Sequence, residues 1–315
     1  MGGFIKPPAT GGGGGGDTIT TAPTWADLPT TGTEGDRAYL QDAQILLRWS
    51  DDIDPLDADG RQWVPDAIYS DSSGTGVVAG VVEWLEPIDC AGVGDGQPVA
   101  TWPSRAGTGD YTAAGTARPT FDEDGGADGG AAVVFDGSSD YMSKSGGLDI
   151  LAARRAYAIV ALARPNSLAG LGMIWVASMT GNTTRCGLYR QMASHLWLLD
   201  AAGANTAFEL LALQPPVAAT WRLAAGIWAA YKAVLPRGPS EADTSVATAT
   251  PSPPAGNSAY IRIGAWRDGA EPTVTDPYAG RIGTVIVLAS STAGGVQPGA
   301  ARAVAAWLSS RAGLL

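Results

Sequence analysis

Apolar and polar positions along the 315 residues come in short runs cut by Gly, Asp and Pro, the pattern of strands joined by turns. Between residues 17 and 70 the runs are brief. Trp25 and Leu28, then Tyr39 and Leu40, then Leu46, Leu47 and Trp49, then Trp63 and Val64 stand between turn residues and predict a small antiparallel meander. After residue 77 the runs lengthen. Val81, Val82, Trp84 and Leu85 open a larger unit, and an apolar strand ending at Phe135 meets Asp136 and Gly137 before the chain restarts at Tyr141. Asp-Gly tolerates the positive φ angles of a tight turn, so this is a hairpin. Further strands are predicted over 157–165, where Pro165 ends the ladder, and over 172–178, 184–189, 195–200, 221–230, 258–266 and 278–288. Residues 208–213 also fit a helix on propensity alone, and 248–254 read as a proline-rich loop.

One helix is predicted, at the C-terminus. Val304, Trp307, Leu308 and Arg311 recur at i, i+3, i+4 and i+7, with Pro298 near the start and Arg311 near the end, where the cap and dipole rules place them. At the other terminus, six glycines at 11–16 follow Lys6, Pro7 and Pro8. A phosphate loop requires Gly-Lys-Ser/Thr, and Asp17-Thr18 follows instead, so the run is a flexible arm. With a polar, glycine-bearing linker at 71–76, the chain divides into an attachment arm (1–16), a small β module with its linker (17–76) and a large β unit (77–315).

Composition narrows the partners. Apolar residues make up 45% and charged residues 16%, enough to bury a sizeable core, and the formal net charge is −11. That sign argues against nucleic acid and against an anionic membrane surface. No run of about 18 apolar residues is present for membrane insertion, and the N-terminus lacks the apolar stretch of a signal peptide. The expectation is synthesis in a bacterial cytoplasm without an export signal, with any role outside the cell depending on a larger carrier. Cys90 and Cys186 lack metal or redox spacing and are expected to be two buried thiols, not a disulfide. Asn182 and Thr184 form a sequon without secretory context.

His195 is the only histidine, which removes histidine zinc sites and most nucleophilic relays. Asp57, Asp59 and Gly60, and Asp122, Asp124 and Gly125, alternate acid before glycine. Two readings stand for them: solvated turn acids, or a weak calcium corner at Asp122 and Asp124. An EF-hand is excluded by Pro55 and Asp66 at required ligand positions. Of the 11 tryptophans, Trp84, Trp175, Trp221 and Trp228 lie within apolar runs and are assigned to the core. Trp102, Tyr111, Trp266 with Arg267 and Asp268, and Tyr278 stand beside turns and are the candidate carbohydrate contacts, since an aromatic face can meet the C–H face of a sugar.

Two resemblances give these features a setting. Leu28-Pro29, Gly32, Gly35-Asp36, Tyr39, Arg48-Trp49 and Trp63-Val64 follow one another as in a small module recurrent in virion proteins of tailed phages. Trp84-Leu85, Asp95-Gly96, Val99, Trp102, Arg118-Pro119-Thr120 and Val133 to Gly137, then the strand ending at Pro165, the strand from Tyr278 to Leu288 and the closing helix, resemble the concanavalin A-like (laminin-G-like) jelly roll. The implied fold is all-β: a jelly-roll sandwich with a C-terminal helix, preceded by the meander and the glycine-rich arm. The implied role is a fibre, head spike or tail appendage of a tailed phage or gene transfer agent. It attaches through its N-terminus, assembles as a homo-oligomer such as a trimer, and presents a lectin-like domain to host surface polysaccharide. A decoration protein without ligand and a glycan-cleaving enzyme are the alternatives. Some relatives of this fold are glucanases with a Glu-x-Asp-x-x-Glu strand, which is missing here; Glu83 and Glu86 fall on opposite faces of a strand and Pro87 breaks the ladder. No enzyme and no cofactor is therefore expected, calcium excepted because some laminin-G-like domains use it.

Overall fold

The computed structural model describes residues 19–50, 56, 59–66, 80–90, 92–106, 109–127, 129–145, 156–167, 172–179, 185–190, 197–202, 207–209, 217–229, 232–235, 244–245, 258–265, 276–290 and 298–314. The predicted arm at 1–16 and linker at 71–76 lie outside them, as do His195, Trp266, Arg267 and Asp268.

The N-terminal strands β1 (Ile19–Ala22), β2 (Arg37–Leu40), β3 (Ile45–Trp49) and β4 (Trp63–Pro65) form a four-stranded sheet in sequential order. It departs from the expected meander at one place: β1 runs parallel to β2, with Ile19 opposite Arg37. The chain between them makes a crossover through a short 3-10 turn at Trp25–Asp27, which buries Trp25 instead of turning back as a hairpin. Arg61 holds the crossover down, its Nε donating to the Leu28 carbonyl at 3.2 Å and its Nη2 to that of Ala26 at 2.8 Å.

The remaining strands are β5 (Val81–Leu85), β6 (Thr101–Trp102), β7 (Tyr111–Thr112), β8 (Thr120–Asp122), β9 (Ala132–Asp136), β10 (Met142–Ser145), β11 (Ala156–Pro165) and β12 (Gly172–Met179). They continue as β13 (Arg185–Arg190), β14 (Trp197–Ala202), β15 (Ala207–Glu209), β16 (Arg222–Ala229), β17 (Lys232–Leu235), β18 (Thr244–Ser245), β19 (Ser258–Ile263) and β20 (Ala279–Ser290), before helix α1 (Pro298–Arg311). They build two facing eight-stranded sheets. The middle sheet has the order β18-β17-β16-β11-β20-β9-β8, with β5 also on β20; the outer sheet has the order β15-β14-β13-β12-β19-β10-β7-β6. Hairpin-linked neighbours such as β12 to β15 and β16 to β18 alternate with non-consecutive ones such as β11-β20 and β12-β19, because the chain repeatedly crosses between sheets. That is the connectivity of a jelly-roll sandwich, the expected fold class. Phe208 and Glu209, at the start of the stretch 208–213 that also fits a helix on propensity, pair as a strand with β14; tertiary pairing overrides that local preference.

The middle sheet is buried on both faces. Along β11 and β20, Ile159, Ala161, Val285 and Val287 point inward to meet Trp175, Leu188, Ile261 and Ile263 of the outer sheet. The alternate residues Ala158, Val160, Ile286 and Leu288 point outward to α1 and the small sheet. Two buried faces explain why these strands read as unbroken apolar runs instead of alternating ones. Gly264, at φ +85°, follows β19, and a Cβ there would stand 2.2 Å from the Phe135 ring. The turn accordingly takes glycine for both backbone and space.

Helix α1 is the third layer. Val304, Trp307 and Leu308 are fully buried, since the small sheet covers one side and the middle sheet the other. Trp307 meets Trp25 of the small sheet edge-on at 6.3 Å and Trp84 of β5 at 5.9 Å. Small sheet, helix and sandwich therefore share one apolar cluster.

Candidate functional site

Strand β5 and the residue after it place two carboxylates on opposite sides of the middle sheet. Glu83 points into the sandwich, where Lys144 of β10 pairs with it and Ser104 Oγ donates to it at 3.1 Å. Lys144 also lies over the Tyr111 ring, 5.3 Å from its centre. Burial, and then the Glu83 charge, push the Tyr111 hydroxyl well above its ordinary value, partly offset by the Trp175 indole N–H that donates to it at 3.0 Å.

Glu86 points the other way. Its carboxylate accepts from Arg311 Nη1 (2.9 Å) and Nη2 (3.3 Å), from the Trp84 indole (2.9 Å) and from the Thr284 hydroxyl (2.7 Å). Arg311 Nη2 also donates to the Leu56 carbonyl at 2.9 Å, and its guanidinium lies 5.7 Å from the Trp25 ring centre and 5.1 Å from that of Trp307. One arginine thus joins small sheet, helix and sandwich. Burial alone would raise the Glu86 carboxyl, but Arg311 and Arg105 outweigh it, with the hydrogen bonds of Arg311 and Thr284, and hold it below the ordinary value.

Above this network the third layer is incomplete, and a cleft of about 1160 Å³ opens between small sheet, helix end and middle sheet. Its floor is Thr284 and Gly283 of β20, with Leu162 of β11 and the half-buried Trp221 just before β16. A Cβ on Gly283 would stand 3.2 Å from Leu162 Cβ and 3.5 Å from the Trp221 ring, so the missing side chain lets the indole lie close over the strand. Glycine-bearing loops wall one side, from Gly92 to Gly94 and from Glu123 to Gly130. Trp25, Asp42 and Asp59 of the small sheet wall the other. Asp42 is fixed by the helix, whose Ser310 hydroxyl donates to it at 2.7 Å; Asp59, Glu123 and Asp124 are exposed.

Of the residues expected to touch sugar, Trp266, Arg267 and Asp268 lie outside the described residues, and the other three are away from the cleft. Trp102, Tyr111 and Tyr278 are each 0% exposed and belong to the inner core, so none offers a ring face to a ligand. Trp102 and Tyr111 look like turn residues beside Pro103 and Gly109. They instead form a cross-strand pair between β6 and β7, with the Trp102 indole donating to the Glu86 carbonyl at 2.8 Å. At the expected calcium corner, the Asp122 carboxylate is gripped by Arg281 Nε at 2.8 Å and Nη2 at 2.7 Å, while Asp124 stands on the cleft wall. Among the described residues, no three carboxylate, histidine or cysteine side chains converge as metal ligands. Cys90 is a buried free thiol, pushed up to about 12 by burial and then by the charge of Asp89. The side chain of Cys186 lies outside the description.

Trp84 and Trp175 are core residues, as expected, but Trp221 lines the cleft. Its position had a signal in the sequence: Pro215, Pro216 and Thr220 mark a turn before it, and Arg222 follows it.

No protein-family model and no curated protein matches the chain. Solved structures similar to it include domain 4 of an extracellular GH43 arabinanase from Geobacillus stearothermophilus in complex with arabinotriose. It is 13% identical over 67% of this chain and 92% of that one, with a TM-score of 0.48. A Trypanosoma rangeli sialidase in complex with sialic acid is 12% identical over 87% of this chain and 45% of its own length, TM-score 0.46. The CBM40 of a Ruminococcus gnavus sialidase bound to alpha2,3 sialyllactose is 14% identical over 52% of this chain and 97% of that one, TM-score 0.40.

Proposed function

We propose that the chain is a non-catalytic saccharide-binding protein of a tailed-phage or gene-transfer particle, held by its N-terminal residues and gripping host surface glycan with the cleft. The observation that carries the binding reading is the cleft itself. A half-buried indole over a glycine, ringed by carboxylates and glycine-rich backbone, can meet both the C–H face and the hydroxyls of a sugar. Binding without cleavage is supported by the fate of Glu83 and Glu86, each locked in a buried ion pair on its own side of the sheet. Most glycosidases instead use two carboxyls facing one groove, one of them kept protonated by burial. Asp59, Glu123 and Asp124 have no such burial.

The virion setting rests on the order of short motifs between Leu28 and Val64. A glycine arm at 1–16 lets identical pegs of a symmetric homo-oligomer, such as a trimer, adapt to a socket of different symmetry. Deletion of residues 1–16 is expected to leave the melting temperature unchanged and to abolish incorporation into particles. Unchanged incorporation removes the attachment role.

Binding is tested by retention of the full chain on host envelope polysaccharide. Trp221→Ala is expected to weaken it about tenfold, or about 1.4 kcal/mol, with little change in unfolding midpoint. Release of reducing sugar by the wild type overturns the non-catalytic reading. A second reading, a decoration protein without ligand, is favoured by the burial of Trp102, Tyr111 and Tyr278. It takes over if neither the wild type nor Trp221→Ala is retained.

A further inference from the structure

Resting on that reading of the cleft, we infer that its ligand is an uncharged glycan and that polyanionic glycans are turned away. The walls decide which hydrogen bonds a ligand has to offer. Asp42, Asp59, Glu123 and Asp124 line them with carboxylate oxygens, which accept hydrogen bonds. Sugar hydroxyls donate to such groups. A ligand carboxylate, sulfate or phosphate brings further acceptors and the same sign of charge, and gains nothing there.

The two cations that line the cleft among the described residues do not reverse this, because both are engaged. Arg61 pairs with Asp59 at 2.6 Å and holds the carbonyls of Ala26 and Leu28. Arg311 is held by Glu86 and the Leu56 carbonyl. To serve an anionic ligand, either guanidinium would have to leave a partner that then remains buried or unpaired. Arg311 Nε is buried and has no hydrogen-bond partner among the described residues, so it offers an incoming ligand no donor either. Trp221 on the floor adds a face that stacks on any pyranose irrespective of charge.

The experiment is calorimetric titration of the full chain with three probes: N-acetylated chito-oligosaccharides (neutral), their deacetylated counterparts (cationic) and oligogalacturonate (anionic). Each is run between about 0.05 and 0.5 M salt, across which screening of exposed charges changes strongly. The neutral probe is expected to bind with an affinity that salt changes less than about twofold, and oligogalacturonate at least about tenfold more weakly. The double variant Glu123→Gln, Asp124→Asn, altering two exposed side chains, is expected to narrow that gap by about fivefold or more. Equal or tighter binding of oligogalacturonate overturns the selectivity and leaves the binding reading standing. Tight, salt-sensitive binding of the deacetylated probe overturns it in favour of a cationic ligand. Retention of none of the probes, together with none on host polysaccharide, removes the binding reading and this inference with it.

Discussion

The two faces of the middle sheet solve the same problem differently. On the inner face, Glu83 and Lys144 form a buried pair between facing sheets, with Lys144 over the Tyr111 ring and apolar residues of both sheets around it. On the outer face, Glu86 and Arg311 form a second buried pair, but its partners come from four places: β5, β20, the helix and the chain near Leu56. The inner pair joins two layers that apolar packing already holds together. The outer pair sits where a helix and a small sheet cover the middle sheet incompletely, and the uncovered remainder is the cleft.

The largest expected effects test that contrast directly. Lys144→Met and Arg311→Met each leave a carboxylate buried without its cation and are expected to lower stability by about 3–5 kcal/mol, measured by urea unfolding. The double replacements should then separate. Glu83→Leu with Lys144→Met restores most of the loss, because hydrocarbon can fill a site between two apolar sheets. Glu86→Leu with Arg311→Met restores little, because the Trp84 indole, the Thr284 hydroxyl and the Leu56 carbonyl lose their partner as well. Equal recovery in both doubles would erase the distinction between the faces.

Acid titration is expected to give a smaller signal from the same contrast. The Glu86 carboxyl is held below its ordinary 4.5, so its contribution is present above that pH and is lost as pH falls through the lowered value. Glu86→Gln should therefore flatten the acid limb of stability against pH. Asp140, in the turn after β9, works with the opposite sign. Burial, and then the neighbouring Asp136 charge, raise it from 3.8 to about 6, against the Asp136 backbone N–H that donates to it. Its contribution is full below pH 3.8 and is lost as pH rises through about 6. Asp140→Asn should remove that decline; an unchanged profile means that Asp140 does not titrate there. The smallest effect is kinetic. Cys90, with its thiol pushed up to about 12, should resist a thiol reagent at pH 8 until the chain unfolds. Fast labelling of Cys90 in the native state would mean that the inner face opens readily.

Much of the architecture was legible from local chemistry. The chain does turn at Asp136-Gly137, with Gly137 at φ +76°, but not into the expected hairpin: β9 pairs with β8 and β20 in the middle sheet and β10 with β7 and β19 in the outer one, so the turn carries the chain from one sheet to the other. Against its burial, the Asp136 carboxylate is pulled below the usual carboxylate range by the Ser138 hydroxyl and by the backbone donors of Ser138, Ser139 and Asp140. Helix α1 begins at Pro298 and ends at Arg311, as spacing and cap rules placed it. Glu83 and Glu86 do face opposite sides, since alternation along a strand is a short-range property. The candidate sugar contacts were not legible in the same way. Trp102 and Tyr111 were assigned to turns from the prolines and glycines beside them, but strands of two residues are long enough to turn both rings inward. Trp221 was assigned to the core from its apolar neighbours, and it faces the cleft.

By itself, the sequence determined the period of each segment, the places where the backbone must turn, and the residues that can be buried, because these follow from interactions within a few positions. Only the tertiary structure decided that β1 lies parallel to β2, that Arg311 meets a glutamate 225 positions away, and which apolar run is covered on both faces. Those outcomes depend on which layer ends up over which. A tryptophan in an apolar run becomes core or cleft floor according to whether the next layer reaches far enough to cover it, and that is a matter of packing between distant segments.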